Sequence, residues 1–548
     1  MPEDSVSRFP ALQSTRYEDY FFHEAEPGVF ARKTLGYESA VILFSNADLR
    51  IASSLGTSAQ VYVVADADIE SLLREVWIQL RYKVPHIACT THALDAGEFE
   101  FRYTVPASSS DVETWLAATL TFDERPQRHL DGLNTLSSTL VSFVSTGRYN
   151  TELIACPCTE GGYLLSLKSG HHAVDGIGAT LLYTQFLDIL AALAKGEVFT
   201  LPEWGQEVQR LPPALMAVVA GSEEALIEAA RKAALLPPFE EPRDDMQWVP
   251  KRRVGPGGVS ALVTVSREGT AALHQVSKEE QVTITDVLTG LAVLAQTHAA
   301  LEDARRRGGS YFNEIASRYF KAQNYIIPIA PAARIAMLPE KYQSFDNGMP
   351  LLTMESSLVS IPMASIRKVV FPDSVRSRVV RSDGRSAVSD VIQDVHQILK
   401  SIDYSRDATL TRHARSFDRI PYTVDLLRYT PSLIMLSSVG DVQNFFKQHM
   451  RPLSSENERG VWMKRVFGYG NNQTTGLSAT ASQLNGSLLV NCTCGGGDEG
   501  AETMQRFIAL FIQYLDQFIG QDGATVLSTF SVVNPQGDDC TKSLKSKL

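Results

Sequence analysis

The chain lacks a basic surplus. Its 62 acidic residues outnumber 51 basic ones and leave a formal net charge of −11. A nucleic-acid partner needs a basic surface to neutralise phosphates, so no nucleic-acid partner is expected. Uninterrupted apolar runs of ~18 residues are missing as well, so no transmembrane segment is expected. The opening "MPEDSVSRFPALQSTRYEDYFFHEAEPG" has neither the basic n-region nor the apolar h-region of a secretory signal. The protein is therefore expected to stay inside a cell. Cysteine is scarce, with six residues, as suits a reducing compartment. Four of them form C-x-C pairs, Cys156/Cys158 and Cys492/Cys494, whereas metal knuckles use a wider C-x₂₋₄-C spacing. Residues i and i+2 of a strand share a face, so buried packing accounts for both pairs and no metal site is expected. The sequons at Asn472, Asn485 and Asn491 carry little meaning in a chain outside the secretory route.

What is present describes a globular chain, 44% hydrophobic and 21% charged. Its 548 residues exceed one ordinary core, so two lobes are the expectation. "DIESLLREVWIQLRYK" places Leu72, Leu73, Val76, Trp77 and Leu80 at helical spacing, and Pro85 stops the helix before a strand-like "HIACT". "GEFEFRYTVP" alternates as a half-buried strand. "YNTELIACPCTEGGYLLSLKSG" reads as a hairpin around Gly161-Gly162, followed by a helix from Ile177 to Leu193 that Gly196 ends. Residues 235–258, rich in proline and opposed charges, read as a crossing linker. Beyond it come a strand "VSALVTVS" and a helix whose first turn offers Thr285 and Asp286 for capping. "YIIPIAPAARIAML" and "SLIMLSSVG" read as buried strands, "SQLNGSLLVNCTC" as a hairpin turning at Asn485-Gly486, and "ETMQRFIALFIQYLDQFIG" as an amphipathic helix. The expected organisation is lobe 1–234, linker 235–258, lobe 259–535 and a mobile tail 536–548.

The stretch "SLKSGHHAVDGIG" sets His171 where a strand gives out, with Asp175 four residues on at the start of a helix. Gly176 and Gly178 allow tight backbone and leave room for a ligand. A histidine near neutral pKa held at the mouth of a cleft is suited to act as general base towards a hydroxyl. A lone histidine is more often a satisfied polar residue than a catalyst. Here the Asp-Gly at fixed offset favours the catalytic reading.

"GHHAVDG" resembles the H-x-x-x-D-G signature of the chloramphenicol-acetyltransferase-like acyltransferases, a superfamily that includes the fungal trichothecene O-acetyltransferases and condensation domains. "LREVWIQLRYKVPHIA", "SKEEQVTITDVLTGLAVLAQ" and "IPIAPAARIAML" resemble further parts of that family, in family order. The resemblance implies an α/β fold of two such lobes, each a mixed sheet with flanking helices, and an active-site tunnel between them. Many relatives carry H-H-x-x-x-D-G with the second histidine catalytic. In this chain the offset maps that role onto His171, Gly170 takes the place of the first histidine, and His172 is a minor candidate. The resemblance further implies that His171 deprotonates an acceptor hydroxyl that attacks an acyl-CoA thioester. Acyl-CoA is then a co-substrate, with no permanently bound cofactor. Asp175 is implied to be structural, beside Gly176 and paired with Arg334.

Ser437 or Ser438 in "LSSVG" offers a hydroxyl to the developing oxyanion, although two serines opening a turn explain the pattern equally. "VFGYG", Val466 to Gly470, departs from the plant enzymes' D-F-G-W-G, and no role is carried over. Arg367, Lys368, Arg376, Arg378, Arg381 and Arg385 are crowded into one stretch and offer charge to CoA phosphates, Arg376 and Arg378 foremost; Lys251 to Arg253 is similarly ambiguous. The chain closes on Ser546-Lys547-Leu548, which reads as a peroxisomal address with the import receptor as partner. With that tail, the resemblance points to enzymes that esterify mannosylerythritol lipids with short- or medium-chain acyl groups. Acetylation of a sesquiterpenoid, trichothecene-like hydroxyl is the alternative. A stand-alone condensation-like module using a carrier-bound acyl group and a non-catalytic binding protein are further readings. A monomer is expected.

Overall fold

Helix α1 (Ile69–Lys83) shows how local sequence builds the first lobe. Asp68 caps it by accepting the Ser71 amide at 2.9 Å. Leu72, Leu73, Val76, Trp77 and Leu80 are all buried, as their spacing predicts. Each fully buried side chain of this size contributes about 1.5–3 kcal/mol. Trp77 stacks on Trp115 and donates its ring N–H to Thr119 Oγ1 at 2.9 Å. The expected strand directly after Pro85 is absent. Pro85–Ala88 form a 3-10 turn closed by the Cys89 amide on the His86 carbonyl, and the strand begins only at Thr90. Proline at the first position pre-sets φ for such a turn.

The computed structural model describes residues 16–46, 54–94, 98–128, 147–200, 203–235, 249, 255–329, 357–376, 378–381, 384–414, 434–452, 458–470, 476–496, 498–520 and 526–532. Arg334, Lys251 to Arg253 and the terminal Ser546-Lys547-Leu548 lie outside them.

Two mixed sheets with flanking helices form an α/β fold of two lobes. The first sheet contains β1 (Ser54–Val64), β2 (Leu120–Phe122), β3 (Thr151–Pro157) and β4 (Tyr163–Gly170). β3 and β4 form the expected hairpin, with Gly161 and Gly162 at φ +93° and +71°. Helix α2 (Gly176–Ala194) packs beneath this sheet, with Leu182, Phe186, Leu187 and Leu190 in a core shared with α1.

The second sheet contains β5 (Gly255–Val265), β6 (Asn324–Ile329), β7 (Ser357–Pro362), β8 (Ile434–Asp441), then β10 (Leu477–Leu484), β11 (Ser487–Gly496) and β12 (Val526–Val532), in spatial order β7-β6-β8-β10-β11-β5-β12. Asn485 and Gly486, both at positive φ, make the β10–β11 turn as expected. β5 already begins inside the stretch read as linker. Helices α3 (Ile284–Arg307), α4 (Arg385–Lys400) and α5 (Asp498–Ile519) pack on this sheet around a large apolar core. The α3 cap is Thr283 rather than Thr285; Thr283 and Asp286 form a reciprocal capping box.

The strand between β8 and β10 crosses over. β9 (Gly460–Gly470) pairs antiparallel with β1, so the first sheet runs β9-β1-β4-β3-β2. The "VFGYG" stretch therefore lies in a strand of the opposite lobe's sheet. The two sheets touch where Leu262 of β5 and Phe467 of β9 pack with Ile154 and Leu489. Cys156, Cys158, Cys492 and Cys494 are all buried.

Among the described residues, helices α2 and α3 are long and apolar enough to cross a membrane by length and composition alone. Their apolar stretches are 61% and 83% buried by the rest of the protein, as core helices are.

Candidate active site

His171 sits in the turn between β4 and α2, and its conformation follows from how that turn is tied. The Ala173 amide closes it on the Gly170 carbonyl at 3.0 Å, and the His86 ring meets the Ala173 carbonyl at 3.1 Å. Asp175 then caps α2 by accepting the Gly178 amide at 2.6 Å. His171 Nδ1 lies 3.1 Å from the Val174 carbonyl. A carbonyl only accepts, so Nδ1 carries the proton and Nε2 keeps its lone pair. Desolvation lowers the His171 pKa, opposed by the Val174 carbonyl and the Asp175 charge. The ring is thereby held neutral and in one tautomer, the state a general base requires.

The adjacent histidine turns the other way. His172 is 1% exposed, stacks on Phe101, and places Nε2 3.0 Å from Thr91 Oγ1 and 3.2 Å from Asn150 Oδ1. Burial pushes its pKa down to about 3, with His86 and His171 adding to the shift. Gly170 makes this possible, because a side chain there would collide with the His172 ring.

His171 lines a cavity of about 880 Å³, measured with its open mouth, between the two sheets. From the first sheet come Leu55, Gly56 and Thr57 of β1 and Val466, Gly468 and Gly470 of β9; Gly176 and Thr180 come from α2. Across from them stand Met435, Ser437 and Val439 of β8 and Ser478, Thr480 and Ser482 of β10. Val442 and Phe446 close one end. A Cβ at Gly176 would meet Val439 at 3.7 Å, an ordinary packing distance.

The structure thus brings His171, Gly176 and Ser437 together at one cavity, with Asp175 fixing the helix beside it. Ser438, the next residue on β8, is not among the lining residues. Arg376 and Arg378 do not line it either. Both are exposed side chains beside Asp373 on the hairpin Val370–Asp373/Arg378–Arg381, with Arg378 Nε at 3.2 Å. Arg367 caps the Tyr319 and Phe320 carbonyls, Arg385 pairs with Glu280, and Arg381 lies over the Tyr514 ring. The predicted Asp175–Arg334 pair falls outside the described residues. Sequence reasoning missed Thr57 and the β10 hydroxyls. Their signal was the alternation S-x-T-x-S in "LSATASQL", which puts three hydroxyls on one strand face.

No protein-family model matches the chain. An acetyltransferase of Monascus ruber is 30% identical over 158 residues, 28% of this chain and 30% of that relative, so the match spans under a third of the relative's length. Among solved structures, a trichothecene 15-O-acetyltransferase of Fusarium sporotrichioides superposes with a TM-score of 0.69 at 12% identity, over 91% of this chain and 98% of its own. The first condensation domain of the calcium-dependent antibiotic synthetase superposes with a TM-score of 0.55 at 13% identity, over 90% and 97%. The fold is that of the chloramphenicol-acetyltransferase-like proteins. With that fold the cavity lies between the two lobes, at the end of β4.

Proposed function

We propose that this protein is an acyl-CoA-dependent O-acyltransferase (EC class 2.3.1) with His171 as its general base. The observation that carries this reading is the orientation of His171: Nδ1–H spent on the Val174 carbonyl, and a desolvated, neutral ring on an interlobe cavity. His171 Nε2 would take the proton of an acceptor hydroxyl as its oxygen attacks the thioester carbonyl carbon. The Ser437 hydroxyl would donate to the oxyanion of the tetrahedral intermediate. Collapse would break the C–S bond, and the imidazolium would return the proton to the leaving CoA thiolate. Asp175 would keep the turn in place through its helix cap and take no proton.

The partial match to an acetyltransferase and the fold shared with a trichothecene 15-O-acetyltransferase support a short acyl donor and a small-molecule hydroxyl, sesquiterpenoid-like, as acceptor. A second reading, transfer of short- or medium-chain acyl groups to a glycolipid sugar, rests on the terminal Ser546-Lys547-Leu548. Release of CoA thiol is the direct test, with acetyl- to decanoyl-CoA offered against a terpenoid alcohol and a mannosyl lipid. Turnover with acetyl-CoA and the terpenoid supports the first reading, and longer donors with the sugar lipid support the second. No thiol release above the His171→Ala background with any pair would refute both.

A further inference from the structure

The cavity carries more hydroxyls than an acyl transfer needs. Ser478, Thr480 and Ser482 alternate along β10 and all face it, and Thr57 faces it from β1. None of these four hydroxyls makes a hydrogen bond to protein among the described residues, although β10 is paired on both sides, with β8 and β11. Ser478 is only 6% exposed and Thr57 only 4% as whole residues, and both line the cavity. A hydroxyl that lines a cavity without a protein partner keeps its donor and acceptor capacity for a ligand oxygen or an ordered water. Among the described lining residues there is no Asp, Glu, Lys or Arg, and His171 is held neutral. A charged group would lose its hydration there with nothing to replace it. Apolar lining is supplied by Val439, beside the β10 row on the neighbouring strand, and by Val442 and Phe446.

We propose that Thr57, Ser478, Thr480 and Ser482 form an acceptor subsite that hydrogen-bonds the oxygens of a neutral, polyoxygenated molecule, whose apolar face lies on Val439, Val442 and Phe446. The inference rests on the reading of the cavity as the acyl-transfer site and adds the chemistry of the acceptor. It also assigns the β10 row to specificity rather than catalysis, since His171 and Ser437 already account for the proton and the oxyanion.

The test is a binding measurement, so it stands apart from turnover. Titration calorimetry of the full chain would compare octyl glucoside, a neutral polyol on an apolar tail, with octanol and octyl sulfate. The wild type is expected to bind octyl glucoside about 10-fold or more tightly than octanol, and octyl sulfate most weakly. Thr480→Val, which keeps the side-chain shape, and Ser478→Ala should each weaken octyl glucoside about 3- to 10-fold and leave octanol and CoA within about 2-fold. Equal affinity for octyl glucoside and octanol in the wild type overturns the proposal. So does a glucoside preference that survives both substitutions. Loss of CoA binding instead of glucoside binding would place the row on the donor arm and overturn it too. If no acyl-CoA is turned over yet the probe discrimination appears, the acyltransferase reading fails and the neutral-oxygen subsite stands.

Discussion

Gly170→Ala is the smallest change that asks whether the turn after β4 depends on two neighbouring histidines facing opposite ways. The new methyl would lie 2.8 Å from His172 Nδ1 and 3.1 Å from Nε2, with Cε1 closer still. The ring cannot retreat, because Phe101 stacks on it at 5.8 Å and Nε2 is tied to Thr91 and Asn150. Relief must come from the backbone, and the next backbone in line belongs to His171. Overpacking of this kind costs about 1–3 kcal/mol. A shift of ~1 Å in a catalytic group lowers turnover by about 10²-fold, so kcat should fall more than KM rises. The assay is a thermal melt plus CoA-thiol release on wild type, Gly170→Ala, His172→Ala and the double variant. The three atoms nearest the methyl all belong to the ring, so His172→Ala should cost less in the Gly170→Ala background, with a coupling of about 1 kcal/mol or more. A wild-type melt and kcat for Gly170→Ala, or strictly additive losses, would refute the reasoning.

His171→Ala should lower kcat by about 10²–10⁴-fold with little change in the melt, because the ring faces a cavity; wild-type turnover, or loss only in His172→Ala, would move the base elsewhere. Asp175→Ala should cost about 0.5–2 kcal/mol through the lost α2 cap, read as a lower thermal midpoint, whereas an unchanged midpoint would deny the cap its role. His86 and His172, both held down to about 3 by burial, stay neutral in the fold where the unfolded chain protonates near pH 6.5. The unfolded state then binds more protons, so stability should fall as pH drops from about 6.5 towards 4, by up to ~1.4 kcal/mol per unit for each ring; a melt that is flat from pH 7 to 4.5 contradicts this. Deleting Ser546-Lys547-Leu548 should shift a fluorescent fusion from peroxisomes to cytosol without changing purified activity, and a diffuse intact fusion would remove the targeting argument.

The parts of the fold legible in the sequence are those set by local chemistry. Periodicity located α1 and α2, paired glycines located the β3–β4 turn, and Asn485-Gly486 located the β10–β11 turn. The same held at His171, where strand end, glycines and capping aspartate sit within a few residues. What stayed illegible was non-local. Nothing in "VFGYG" announces that β9 pairs with β1, since its partner lies about 400 residues earlier in the chain. The β10 hydroxyls gain meaning only once β1, β9 and α2 stand opposite them. The surroundings of the arginine cluster were illegible for a related reason: local charge density shows neither the Asp373 carboxylate folded against Arg376 and Arg378 nor the carbonyls that hold Arg367.

The crossing of β9 also dictates an order of events on the ribosome. β1 can complete its hydrogen bonds on one side, with β4, as soon as residue 170 has emerged, but its other edge stays open until residues 460–470 are made. For most of synthesis that edge is an unpaired template, the kind other strands add to. A nascent chain in this position profits from a holding chaperone, and a fragment ending before residue 460 should aggregate rather than fold as an independent half. The strand that walls the cavity beside β1 is thus also the one that closes the first lobe, so the chamber exists only once both halves of the polypeptide have been joined.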